Sequence, residues 1–164
     1  MKKIEKGFTL IELILYMGLF CILVSVLSGI FTAVIDTQLN SKATASVDQD
    51  GRYILAKLIY DMQSASSSAI PSASSLGSPS ATLQLNTSAG TYTYASNSGN
   101  LQLTNTNGTN NLNSVDTQIS GLTFTRIGNG TATDTIRVNF TVKSTTNKRS
   151  GLETRAYQTT LGIQ

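Results

Sequence analysis

The stretch Lys6-Gly7-Phe8-Thr9-Leu10-Ile11-Glu12 opens the apolar part of the chain and decides how the rest is read. It places one carboxylate, Glu12, at the head of a run from Leu13 to Ile35 that carries no charged residue. An isolated acid in that position is costly, so it demands a dedicated electrostatic partner. The run is 23 residues long, about 35 Å as a helix, enough to cross a hydrocarbon core of roughly 30 Å. Its Leu, Ile, Val and Phe residues supply roughly 4–8 kcal/mol of insertion free energy, against about 3 kcal/mol for an acid placed deep in the bilayer. Insertion is the expected outcome.

Other N-terminal signals fit less well. A cleaved secretory signal has an apolar core of about 7–15 residues ending at a small-x-small site. The run here is longer, and Ser28-Gly29-Ile30 is a poor substitute for such a site. A lipoprotein signal needs a small residue before its Cys, whereas Phe20 precedes Cys21. A plain signal anchor fits the hydropathy equally well but leaves Gly-Phe-Thr-Leu-Ile-Glu unexplained. The lysines of the leader place the N-terminus in the cytoplasm, so that everything after Ile35 faces outward in a single-pass topology.

Lys2, Lys3 and Lys6, then Gly7-Phe8-Thr9-Leu10-Ile11-Glu12, resemble the class III signal of type IV prepilins and type II secretion pseudopilins. The resemblance implies that Gly7 precedes a cut made by a prepilin peptidase. Phe8 then becomes an N-methylated N-terminus, and Glu12 meets the terminal amine of a neighbouring subunit. It further implies other pilin or pseudopilin subunits, an assembly platform in the inner or cytoplasmic membrane, and membrane lipid as partners. A carboxylate and an ammonium about 4 Å apart gain roughly 4 kcal/mol at an effective dielectric of 20, before desolvation is subtracted. The rival reading of Glu12 is an acid that snorkels to the membrane surface.

Composition narrows the function classes. Charged residues make up 13% of the 164, about half the usual share, and Ser, Thr, Asn and Gly are plentiful. The formal charge is +3, of which the leader holds +2, so a processed chain is nearly neutral. Nucleic acid is therefore not an expected partner. With no His and a single Cys, an intramolecular disulfide is excluded and neither a metal site nor a cofactor is expected. No nucleophile–base pair can be named, so enzymatic activity is not expected.

Beyond Ile35, apolar or small residues recur at Leu39, Ala43, Val47, Ile54, Leu58 and Met62, steps that keep one helix face apolar. From Ile54 the face is expected to broaden to Leu55 and Ile59, while Asp36–Asp50 stays more exposed. Gly51 is a weak point, worth about 1 kcal/mol against Ala. The Ser-, Ala-, Gly- and Pro-rich stretch from Ser64 to Pro79 predicts a helix end near Ser68–Pro71. Leu83 and Leu85, Tyr92 and Tyr94, and Leu101 and Leu103 then read as a three-stranded meander, with a polar loop over Asn105–Asn113. Leu122 and Phe124, Ile136 to Val142, and Tyr157 to Ile163 give later strands, with a turn over Ser144–Gly151. The expected segments are a leader (1–7), a transmembrane and assembly half-helix (8–35), an amphipathic half-helix (36–70), a linker (71–81) and an antiparallel β domain (82–164).

This α+β layout, one long N-terminal helix packed on a C-terminal antiparallel sheet, resembles the pilin fold. The segment Asp48-Gln49-Asp50-Gly51-Arg52-Tyr53-Ile54-Leu55-Ala56-Lys57-Leu58-Ile59-Tyr60-Asp61-Met62 is similar to the helix of J-type minor pseudopilins and their pilus counterparts. Major pilins commonly close a C-terminal loop with a disulfide, and the missing cysteines lean the reading towards a minor subunit. Other signals carry little. Asn-x-Ser/Thr at Asn86, Asn107, Asn129 and Asn139 follows from composition, and Gly128-Asn129-Gly130 lacks a P-loop Lys. Asp116 and Asp134 lack the spacing of a calcium loop, and the tyrosines read as half-buried packing residues. Two functions in different classes remain. One is a structural subunit that initiates or caps a pilus or pseudopilus. The other is a membrane-anchored surface module, an adhesin or a DNA- or substrate-contacting domain.

Overall fold

The computed structural model describes residues 9–128 and 135–162. The chain divides into two compact units, Met1–Gln38 and Leu39–Gln164, and helix α1, Leu10–Gln63, contributes to both. In the first unit α1 buries no side chain from Leu10 to Ile35. An all-round apolar helix without a protein cover is what the composition of this run dictates.

In the second unit α1 buries one stripe: Ala43, Val47, Asp50, Gly51, Ile54, Leu58, Asp61 and Met62. The apolar members are those expected from helical spacing. The broadening is different, because Leu55 is half-buried and Ile59 exposed, while two acids and a glycine complete the stripe. The helix stops at Gln63, short of the expected 68–71, and Ala65–Ile70 forms strand β1. Serine competes poorly as an interior helix residue. The Ser64 hydroxyl bonds the Asp61 carbonyl at 3.0 Å, closing the last turn, and the following serines pair with a strand instead.

Strands β2 (Pro79–Ser80), β3 (Thr82–Thr87), β4 (Gly90–Asn97), β5 (Asn100–Asn105), β6 (Gly108–Asn111), β7 (Thr117–Ile127), β8 (Thr135–Ser144) and β9 (Thr154–Gly162) follow. They form two antiparallel sheets, ordered β1-β3-β4-β5-β6 and β2-β7-β8-β9, where one sheet was expected. The β3–β5 meander is as read, but the stretch expected as a polar loop holds β6, which is exposed throughout and so has no apolar alternation to betray it. The stretch expected as a linker, 71–81, is tied down by β2 against Thr125 and Phe124 and by the buried Arg126. That guanidinium donates to the Ser68 hydroxyl and the Pro71 carbonyl, each at 3.3 Å. The Ile119 amide bonds the Gly99 carbonyl at 2.7 Å and joins the sheets.

Strand β7 changes parity along its length. Thr117 and Ile119 are buried before Gly121, and Leu122, Phe124 and Arg126 after it. The register against β8 shifts between Ser120 and Thr123, and Gly121 has φ +61°. A bulge with a left-handed glycine inserts one residue and moves the apolar set onto the same face. The core gathers Val47, Ile54, Leu58 and Met62 of α1 with Leu83, Leu85, Tyr94, Leu101, Phe124, Ile136, Val138 and Phe140 of the sheets. Fully burying such side chains contributes about 1.5–3 kcal/mol each.

Candidate functional site

Gly7 and Phe8 lie outside the described residues, as do the leader lysines and Asp134. The described chain starts at Thr9, which caps α1. Its carbonyl accepts from the Glu12 and Leu13 amides at 3.1 and 3.2 Å, and its hydroxyl accepts from the Glu12 amide at 3.4 Å. Thr9-Leu10-Ile11-Glu12 thus has the form of a capping box, a signal present in the sequence and not read there. Glu12 is exposed in the first helical turn, where the helix dipole favours its negative charge.

From Leu10 onward the helix is long and apolar enough to cross a membrane. Three of its hydroxyls are closed on the backbone. Ser25 donates to the Cys21 carbonyl at 2.9 Å, Thr32 to Gly29 at 2.9 Å and Ser28 at 3.2 Å, and Thr37 to Ala33 at 2.9 Å. Polar groups satisfied within the helix remove the main cost of placing it in hydrocarbon. Cys21 is a free, exposed thiol.

The second unit holds two acids that sequence reasoning did not place. Asp50 accepts from the Ser114 amide at 2.8 Å, the Ser114 hydroxyl at 2.7 Å and the Thr117 hydroxyl. Asp61 is paired to Lys57 at 2.8 Å and accepts from the Tyr94 hydroxyl. Burial pushes the Tyr94 phenol far above its usual range, and the bond to Asp61 and that carboxylate's charge add to the effect. Lys57 also lies over the Tyr60 and Tyr92 rings, at 5.6 and 5.7 Å. Both acids hold the helix to the β structure.

Gly51 is the other residue whose role the sequence hid. A Cβ there would overlap the Tyr157 ring, which stacks on Phe140 with centroids 5.3 Å apart. The Tyr157 hydroxyl bonds the Val47 carbonyl at 3.1 Å and Asp48 at 3.4 Å, while Arg155 pairs with Asp48. Burial and the Asp48 charge raise the Tyr157 phenol, and the Asp48 charge raises the Arg155 guanidinium. Of the other tyrosines, Tyr92 is half-buried, as read, whereas Tyr94 is fully buried and Tyr53 and Tyr60 are exposed. Asp116 pairs with Lys42 at 3.1 Å, and among the described residues no cluster of His, Cys, Asp and Glu is arranged to hold a metal.

Comparison with known proteins agrees with the N-terminal reading. Residues 2–28 match the family model of the prokaryotic N-terminal methylation motif. No curated protein and no solved structure matches the chain. The match spans the leader from Lys2, the Gly7-Phe8 junction, Glu12 and the apolar run as far as Ser28. With a long N-terminal helix packed on antiparallel sheets behind it, the chain carries the class III signal of prepilin-type proteins.

Proposed function

We propose that this chain is a minor type IV pilin or pseudopilin, a structural subunit that helps initiate or cap a filament. A prepilin peptidase cuts between Gly7 and Phe8, and Phe8 is N-methylated. The segment from Leu13 to Ile35 holds the precursor in the cytoplasmic membrane, N-terminus inside and β domain outside. It then passes into a filament of pilin or pseudopilin subunits at an assembly platform. Glu12 pairs with the new amine of a neighbour. One observation carries the reading: a methylation motif at residues 2–28 runs into a helix that is apolar on all sides and has no cover among the described residues of its own chain. Such a helix needs lipid or other helices around it. The stretch Asp48–Met62 and the absence of a cysteine pair support the minor, J-type-like assignment. The mature chain is a structural part and not an enzyme.

Two measurements test this. Intact mass of the membrane-extracted protein is expected to show an N-terminus at Phe8 with one added methyl group. A start at Met1, or after the apolar run, refutes processing at this junction. Glu12→Val is expected to leave cleavage and insertion intact, because insertion only gains apolar character. Its recovery in sheared filaments should fall, since a buried ammonium loses its partner. Wild-type recovery of the Val variant removes Glu12 from assembly and favours the membrane-anchored surface module.

A further inference from the structure

We propose that the end of the second unit formed by the β6–β7 and β8–β9 loops is a contact surface for anionic lipid headgroups. The starting observation is Val115, whose side chain is 94% exposed although the backbone around it is held on several sides. Asp50 accepts from the Ser114 amide and hydroxyl, and Lys42 pairs with Asp116 at 3.1 Å. The Thr145 amide donates to the Asp116 carbonyl at 2.8 Å, and its hydroxyl to the Val115 carbonyl at 3.4 Å. A β-branched apolar side chain fixed in water on an anchored loop is a feature that intramolecular packing does not account for.

Register puts the neighbouring loop at the same end. Thr117 faces Ser144, and Lys143 faces Thr154, so the starts of β7 and β9 meet the end of β8. Residues 145–153 carry Leu152, 41% exposed, together with Lys148 and Arg149, and Lys143 stands exposed just before them. Lys148 pairs with Glu153 at 2.5 Å, and the Lys143–Glu153 segment carries a net charge of +2. Apolar tips flanked by cations match a surface that seats at the boundary of headgroups and acyl chains.

The occupant follows from position in the sequence. Lys42, which pins this loop, is seven residues after Ile35, where the apolar run closes. Even a fully extended chain of that length reaches only about 25 Å. The inference therefore rests on the proposed membrane anchor. Given that anchor, tethering supplies a high local concentration of lipid, and weak attraction is enough to hold the surface down.

The test uses the full chain in lipid nanodiscs. Cys21→Ser removes the native thiol, and Val115→Cys or Thr160→Cys carries an environment-sensitive fluorophore; Thr160 is exposed near the other end of β9. The discs are phosphatidylcholine with or without phosphatidylglycerol, doped with headgroup spin-labelled lipid as quencher. Quenching at position 115 is expected to exceed that at 160 by about threefold in anionic discs. Removing phosphatidylglycerol, or introducing Lys143→Gln, Lys148→Gln and Arg149→Gln, is expected to lower it by about half. Lys143→Gln alone, on an exposed strand position, is expected to act in the same direction without disturbing the loop. Equal quenching at both positions, or equal quenching in the two lipid mixtures, overturns the proposal. So does quenching that disappears at one chain per disc, which would assign the surface to a second copy. A label on native Cys21 with acyl-chain quencher reports the anchor itself. Loss there as well refutes the anchor along with this inference, whereas loss at 115 alone refutes only the inference.

Discussion

Replacing Gly51 with Ala gives a change of opposite sign to what a helix alone would produce. In an isolated helix the substitution stabilises by about 0.8–1 kcal/mol. Here the new methyl would overlap the Tyr157 ring, so the ring must move. Displacement weakens its bond to the Val47 carbonyl at 3.1 Å, costing about 1 kcal/mol. It also disturbs the stacking on Phe140, worth about 0.5–1.5 kcal/mol. Partial re-exposure of the ring adds about 1 kcal/mol more. Against the helix gain, the net loss is about 2 kcal/mol, or a fall in Tm of about 6–8 °C for a unit of this size. Thermal unfolding of the full chain in detergent micelles, followed by near-ultraviolet circular dichroism, reads it directly; with no Trp, the signal comes from tyrosines. The reasoning stands or falls on the double mutant. In a Tyr157→Ala background the obstacle is gone, and Gly51→Ala should stabilise by about 0.5–1 kcal/mol, a coupling of about 3 kcal/mol across the cycle. Stabilisation by Gly51→Ala in both backgrounds would show that Tyr157 does not close on the helix at residue 51.

Asp50→Ala leaves the Ser114 amide and the Ser114 and Thr117 hydroxyls without their acceptor, and is expected to lower stability by about 2–3 kcal/mol in a urea titration. A shift below about 0.5 kcal/mol would mean that water replaces the carboxylate at no cost. Alkaline pH tests Tyr94. Its folded pKa is raised, so the stability it contributes is fully present below its unfolded value of about 10 and drains as pH climbs above that value. Each pH unit above it removes about 1.4 kcal/mol until the unit unfolds. Tyrosinate absorbance should therefore show one ring that ionises only with unfolding, and Tyr94→Phe should abolish that lagging step; an unchanged titration curve in the Phe variant would refute the assignment.

What the sequence makes legible follows the residues whose burial is periodic. Val47, Ile54, Leu58 and Met62 declare a helix face, and Leu83 and Leu85 or Ile136, Val138 and Phe140 declare strand faces, because each repeats with the period of its element. The apolar run to Ile35 needs no period. The features that escaped lack one. Strand β6 is exposed on both faces and held by backbone pairing alone. The split into two sheets depends on joints such as the Ile119 amide on the Gly99 carbonyl, which involve no side chain. Gly121 breaks the alternation of β7 at one residue, so only half of that strand reads correctly. The helix end was misplaced because serines tolerate both a fraying helix and a strand, and pairing with β3 decides between them.

The site divides in the same way, and the division bears on function. Helix α1 carries five acids, and the two on its buried face are met within the chain: Asp50 by Ser114 and Thr117, Asp61 by Lys57 and Tyr94. Their partners lie 30 or more residues away in sequence in the cases of Ser114, Thr117 and Tyr94, so no local pattern could announce them. Glu12 is the reverse case. Its motif is local and easily read, yet among the described residues its carboxylate has no cation to meet. Capping by Thr9 satisfies the Glu12 amide and leaves the side chain to face outward. At the head of a membrane-length segment, that charge is met by water and headgroups or by a positive group from another molecule. An acid that water satisfies tolerates replacement by Val, and an acid that pairs with a neighbour's amine does not. The filament recovery of Glu12→Val therefore separates a residue of the membrane surface from a residue of assembly.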